Sequence, residues 1–187
     1  MNMKKFEFTG ETMSFLDRTL HRIRALVDIQ INLFVQVKAG DLGGWLEKEE
    51  NLSQDGNAWV YGNAWVYGNA RVCDDARVYG NARVYGNAWV YGNARVCDDA
   101  VVKKQDQYLT VGPIGSRFDT TTFFRNAKGV IKVKCGCFIG TIDAFLEQVS
   151  QTHGDNKHAV AYRAAAALAL AQVDTTVTDD ETNKEGE

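Results

Sequence analysis

From Gly56 to Lys103 one apolar position is followed four residues later by a smaller one: Val60 then Ala64, Val66 then Ala70, and so on to Val102. The phrase carrying this pattern recurs eight times without a gap, as GNAWVY, GNAWVY, GNARVC, DDARVY, GNARVY, GNAWVY, GNARVC and DDAVVK. Apolar residues three and four apart would mark a helix, and Gly at this frequency would be costly inside one. A period of six instead predicts a short strand that points Val and Ala inward, followed by a corner. Gly-Asn and Asp-Asp pairs supply the corner, because these residues accept left-handed backbone angles at low cost. Three phrases close one coil, and coils stack about 4.8 Å apart. The eight phrases therefore predict a parallel β-helix of a little under three coils over residues 50–104.

The flanks follow other rhythms. Lys4 to Phe8 and Leu20 to Val27 alternate as strands do, and Ile31 to Ala39 makes a third. Asn51 and Leu52 stand at the Asn and Ala positions of a degenerate phrase. Residues 1–49 thus predict a β-rich cap over the open end of the column, whose first coil would otherwise expose unpaired edges. Beyond Lys103, Gln107–Val111, Thr120–Phe124 and Val130–Cys135 read as strands of a three- or four-stranded set, with Lys128-Gly129 as a hairpin turn. Thr141 is an N-cap for a helix from Ile142 to Ser150 with Ile142, Phe145, Leu146 and Val149 on one face. Asn156 or Lys157 opens a second, alanine-rich helix. Residues 105–173 make a small α+β module, and 174–187 an acidic, threonine-rich tail expected to be disordered. The fold class expected is mainly β.

Flanking each inward Val, the remaining side chains point away from the column. Trp59, Trp65, Arg71, Arg77, Arg83, Trp89 and Arg95 lie on one side of it, and Tyr61, Tyr67, Cys73, Tyr79, Tyr85, Tyr91 and Cys97 on the other. Every third phrase shares a wall, which stacks Trp59 over Arg77 over Arg95, Trp65 over Arg83, and Arg71 beneath Trp89. Such ladders suit cation–π contacts of roughly 0.5 to 1 kcal/mol per exposed pair. So much outward Trp and Tyr predicts contact with another copy or a partner. Cys73 and Cys97 fall on different walls, so no disulfide is expected between them.

The phrase resembles the hexapeptide-repeat left-handed β-helix. That resemblance implies a homotrimer packed wall to wall. VKAGDLGGW and ENLSQDGNAWVYGNA further resemble the opening segments of such proteins from bacteriophages and prophages, and the C-terminal module resembles the terminal part of the same proteins. The best-known enzymes of this fold are acyltransferases with a catalytic His on or between the coils. Here His21, His153 and His158 all lie outside the coils, and fold alone confers no activity.

Composition adjusts this picture modestly. The 187 residues suit one domain or two small ones. A net charge of −3 hides a split between the acidic tail and Lys103–Lys134, where seven bases face Asp106 and Asp119. That excess suits an anionic partner, though nothing points to duplex nucleic acid. There is no membrane-length apolar run and no signal-peptide core, so a cytoplasmic protein of a bacterial host is expected.

Three constellations carry candidate chemistry. Cys135, Cys137, His153 and His158 offer two thiolates and two imidazoles for zinc, the one cofactor considered. A Cys and one of these His residues also make a nucleophile and base. In GPIGSR and the following DTTT, backbone amides, Ser116, Thr120, Thr121 and Thr122 with the Arg117 fork suit a phosphate, with Lys132 and Lys134 alongside. No G-K-[ST] follows, so ATP hydrolysis is not implied. The functional expectation is a non-catalytic trimer that counters host defence by sequestering a small nucleotide-like ligand or by blocking a host defence protein. The alternatives are a purely structural oligomer and an acyltransferase.

Overall fold

The computed structural model describes residues 4–31 and 36–178. The chain divides into two units, Met1–Asp99 with Lys103–Gln105, and Ala100–Val102 with Asp106–Glu187.

In the first unit the hexapeptides form two-residue strands: β6 (Trp59–Val60), β7 (Trp65–Val66), β8 (Arg71–Val72), β9 (Arg77–Val78), β10 (Arg83–Val84), β11 (Trp89–Val90) and β12 (Arg95–Val96). They pair in parallel as three walls, β6-β9-β12, β7-β10 and β8-β11. Register sets Trp59 against Arg77 and Arg77 against Arg95, Trp65 against Arg83, and Arg71 against Trp89. Val60 to Val96 and Ala58 to Ala94 are at most 1% exposed, a thin apolar column. At the corners Gly62 and Gly68 take positive φ (56° and 69°), and Asp74 and Asp98 do the same at 59° and 62°. The next residue links coils: Asn57 Nδ2 donates to Asp75 Oδ1 at 2.8 Å, and Asn69 Nδ2 to Asn87 Oδ1 at 3.3 Å.

The lead-in comprises β1 (Phe6–Phe15), β2 (Arg18–Ala25), β3 (Ile29–Gln30), β4 (Gln36–Val37), β5 (Leu42–Leu46) and a 3-10 turn at Glu49–Asn51. β5 pairs in parallel with β7, and β2 and β1 extend that wall antiparallel in the order β1-β2-β5-β7-β10. The first strand runs past Phe8 through a bulge between Phe8 and Thr12, where Gly10 has φ 90°. Of the expected strand Ile31–Ala39, residues 32–35 lie outside those described, and Gln36–Val37 pairs with Ile29–Gln30.

Two expectations need correction here. Leu52 bridges to Val72 and Leu46 pairs with Val66, so both occupy the Val register, not the Ala one. Gly44-Trp45-Leu46 is thus an Ala-Trp-Val phrase in disguise, ahead of the first regular repeat. Gly replaces Ala because a Cβ on Gly44 would come within 2.6 Å of the Ala64 carbonyl and of Val60 Cγ1. The outward aromatic positions, secondly, are not an open surface. Trp59 is fully buried, with the Phe6 ring edge-on at 6.5 Å, and Cys97 is 1% exposed. Tyr67 and Tyr85 are buried in a parallel stack at 4.8 Å, with Phe15 and the Arg18 guanidinium over Tyr67. Trp65 is half-buried between Phe15 at 4.8 Å and Arg83 at 5.4 Å. Tyr61 and Tyr79 meet edge-on at 6.3 Å and are half-buried. Rings that project from a narrow column need lateral cover, and the lead-in strands supply much of it. Trp89 and Tyr91 remain about half exposed, at 49% and 48%.

The second unit holds β13 (Val101–Val102), β14 (Tyr108–Ile114), β15 (Asp119–Arg125), β16 (Ile131–Cys135), β17 (Phe138–Thr141), α1 (Ile142–His153) and α2 (Lys157–Gln172). Its sheet is an antiparallel meander, β14-β15-β16-β17. Asn126 N donates to the Val130 carbonyl at 2.9 Å across the Lys128-Gly129 turn, where Gly129 has φ 73°. Thr141 Oγ1 accepts from Ala144 N at 3.3 Å, and Asn156 Oδ1 accepts from His158 N at 2.9 Å and Ala159 N at 3.1 Å, capping the two helices. Phe123, Val133 and Cys135 of the sheet pack with Phe145, Val149, Tyr162 and Ala166 of the helices. Residues 174–178, placed with the tail by composition, are held in part: Asp174 N donates to the Asp106 carbonyl at 2.8 Å and Arg125 Nη1 to that of Thr176 at 2.8 Å. The rest of the tail, 179–187, lies outside the described residues. Among the described residues no helix is long and apolar enough to cross a membrane.

Candidate functional site

Strand alternation divides the expected phosphate site. Thr121 pairs with Cys135 and Phe123 with Val133, and these side chains share the helix-facing side of the sheet. Thr122 pairs with Lys134 and Phe124 with Lys132, so these point to the opposite face. Lys132, Lys134, Thr120 and Thr122 therefore do not join Ser116 and Arg117 in one site. Thr121 and Thr122 are fully buried, and Thr121 Oγ1 has no hydrogen-bond partner.

Ser116 and Arg117 sit instead at the mouth of a cavity of about 300 Å³ beneath the β14–β15 turn. Its apolar floor is Phe138, Phe145 and Val149, and Gln148, Thr152, His153, Tyr162 and Cys135 complete the walls. Two glycines make this arrangement possible. Gly115 (φ 74°) lies directly against the Tyr162 phenol, and Gly136 (φ 57°) directly under the Arg117 guanidinium; a Cβ at either would collide with it.

The electrostatics favour an anion. A hydrogen bond to Cys137 is the main reason that Arg117 is held above its ordinary pKa, and neighbouring Cys135, Cys137 and Tyr162 act the same way. No carboxylate pairs with Arg117 among the described residues. Burial, followed by the adjacent Cys135, pushes Tyr162 up to about 12, so the phenol stays neutral near pH 7. The Cys135 thiol donates to Tyr162 Oη at 3.8 Å, and the His153 ring lies 5.8 Å from that of Tyr162.

The expected zinc set is not assembled. Cys135 is buried against Tyr162 and Cys137 is exposed beyond Gly136, while His153 and His158 pair with each other at 5.8 Å between ring centroids. No three His, Cys, Asp or Glu side chains stand where they could hold a metal ion among the described residues. The hairpin is the cause: β16 ends at Cys135, and Cys137 lies in the tight turn after it, where Gly136 takes φ 57°, so the two thiols share no strand face. Cys135 and His153 do line the same cavity. On the coil side, His21 is stacked on Phe8 at 4.8 Å.

Sequence reasoning missed Gln148, Thr152 and Tyr162. Gln148 and Thr152 are one helical turn apart and bonded, Nε2 to Oγ1 at 2.9 Å, a polar strip beside the apolar face of α1. Tyr162 is the only Phe, Tyr or Trp in the alanine-rich α2, a signal that was visible in the sequence.

Residues 76–92, within the coils, match the YdcK beta solenoid repeat family. The chain is also similar to the uncharacterized acetyltransferase YdcK of Escherichia coli (strain K12), at 36% identity over 62 residues. That stretch is 32% of this chain and 19% of the relative, so the chain spans about a fifth of that protein's length. The two matches and the stacked parallel strands agree on a β-solenoid protein.

Proposed function

We propose that the chain is a non-catalytic binding protein whose C-terminal unit takes a small phosphorylated, nucleotide-like ligand in the cavity under Arg117. The observation that carries this reading is a guanidinium without a carboxylate partner, at the mouth of a cavity with an aromatic floor. Arg117 and Ser116 meet the phosphate, Phe138 and Phe145 meet a flat ring, and Gln148 and Thr152 read its polar edge. In this reading the solenoid is left-handed and a rigid oligomeriser, assembling three copies and so three cavities. The resemblance to bacteriophage and prophage proteins suggests a use for them, namely removal of a phosphorylated host signal. Calorimetry with inorganic phosphate, AMP and a cyclic dinucleotide tests the binding. At least one should bind, and Arg117→Ala should weaken it about tenfold or more, since a hydrogen bond to a charged group is worth about 1.5 to 3 kcal/mol. Undiminished binding by that variant removes Arg117 from the site.

The likeness to YdcK favours a second reading, acetyl transfer. Cys135 and His153, which share the cavity, are then the nucleophile and base to examine. Thiol release from acetyl-CoA that disappears in Cys135→Ser would establish it. Absence of both ligand binding and turnover would leave a purely structural oligomer.

A further inference from the structure

The coil has its own concave surface, remote in sequence from the Arg117 cavity. The wall β8-β11 carries the two aromatic side chains of the repeat that stay half exposed, Trp89 and Tyr91. Two hollows, of about 370 and 450 Å³, meet at Trp89 and Cys73. Glu50, Ser53, Gln54 and Arg71 line the first, and Asp74, Tyr91 and Gln105 the second. The indole thus stands as a platform between two pockets whose rims are polar.

We propose that this groove binds a neutral oligosaccharide, with one sugar ring stacked on Trp89. A sugar has a C–H face suited to an aromatic ring and a rim of hydroxyls that donate and accept. The groove offers both in the required places. Glu50 and Asp74 accept; Arg71 donates; Ser53 does both. Two carboxylates facing one guanidinium disfavour a phosphate, which Arg117 in the other unit would take instead. They also disfavour a second copy of the chain, because dry packing over this wall would take three charges out of water. Gln54 is fixed in the wall of the first hollow. Its Oε1 is taken by the Lys5 amide at 2.7 Å, and its Nε2 is buried with no acceptor in the protein.

The backbone beneath the platform is also held in place. Trp89 N donates to Gln105 Oε1 at 3.2 Å, and Asp74 Oδ2 accepts from Gly92 N at 2.9 Å, so the groove needs little ordering on binding. Coils on one wall repeat at the strand spacing of about 4.8 Å, close to the dimension of a sugar ring, so an extended chain of sugars can follow the groove across Trp89.

The test is a titration of the full chain with maltotriose, cellotriose and chitotriose, read by saturation-transfer NMR and calorimetry, with choline and AMP as controls. At least one trisaccharide should bind saturably. Trp89→Ala should weaken it tenfold or more with unchanged circular dichroism and native mass, Trp89→Phe should retain part of the binding, and Arg117→Ala should leave it intact. Three results overturn the proposal: no trisaccharide binds, binding survives Trp89→Ala, or choline binds more tightly than every sugar. A fall in native mass for Trp89→Ala assigns the wall to self-association and overturns it as well.

Discussion

The coil and the C-terminal unit solve opposite problems with similar amounts of chain. In the coil each Val and Ala meets the same environment as its counterpart one turn away, so the pattern repeats and the interior is chemically silent. In the C-terminal unit no environment recurs: a turn held by Gly115, a strand end at Cys135 and two helix faces converge on one cavity. Repetition makes a fold easy to read and leaves no unlike groups inside the column. Convergence makes a site and leaves little periodic trace.

The comparison breaks most visibly at the column. Val84→Asp places an unpaired charge in a site with no exposure and should cost several kcal/mol, enough to unfold the coil. Limited proteolysis should then cut within 56–99 while the core around Phe145 and Tyr162 stays protected. A soluble variant with unaltered protection would show that Val84 does not face inward.

Next in size is the response to pH, which should differ between the units. Burial lowers Lys5 from 10.5 to about 8, against the opposing pull of Asp55 and Asp75; its Nζ donates to the Ala58 carbonyl at 3.0 Å. Between about pH 8 and 10.5 the unfolded chain still holds a proton that the folded chain has released, so coil stability rises with pH there, by up to about 3 kcal/mol. Tyr61 of the coil and Tyr162 of the other unit are both pushed up to about 12, chiefly by burial. Above pH 10 the unfolded chain ionises first, so both units lose stability between about 10 and 12. Denaturant melts should therefore show a rise for the coil from about pH 8, opposed above about pH 9 by Cys73, whose thiol burial also pushes up, and no such rise for the C-terminal unit. Lys5→Met should flatten the rise; a rise that persists in that variant refutes the assignment.

Gly115→Val sets a β-branched residue at φ 74° and drives it into the Tyr162 phenol, at a cost of about 1 to 3 kcal/mol. It should lower the melting midpoint of the C-terminal unit and abolish ligand binding there, with the coil unaffected. The smallest effect is expected from Thr141→Ala, which removes the α1 cap and should cost about 1 kcal/mol, again in the C-terminal unit alone. A coil that loses stability in either variant would mean that the units melt together.

Legibility followed the range of the physics involved. The Val and Ala column and both N-caps depend on neighbours a few residues away, and the sequence carried them. The cover over Trp59 depends on Phe6, which only the returning sheet brings near. Gly44-Trp45-Leu46 hid because tight packing had replaced the diagnostic Ala by Gly. The split of Lys132 and Lys134 from Arg117 was readable, since Ile131-Lys132-Val133-Lys134-Cys135 alternates plainly; grouping them by charge ignored the strand's two faces. Tyr162 was visible as the one large aromatic side chain among alanines, but its place over Gly115 arises from helix packing that no local pattern encodes.

The most direct measurement is calorimetric titration of the intact protein and of Arg117→Ala with AMP, inorganic phosphate and a cyclic dinucleotide. Saturable binding of at least one of them to the intact protein is expected, weakened tenfold or more in the variant with its melting midpoint unchanged. No heat with any of the three, or equal affinity in both proteins, would contradict it.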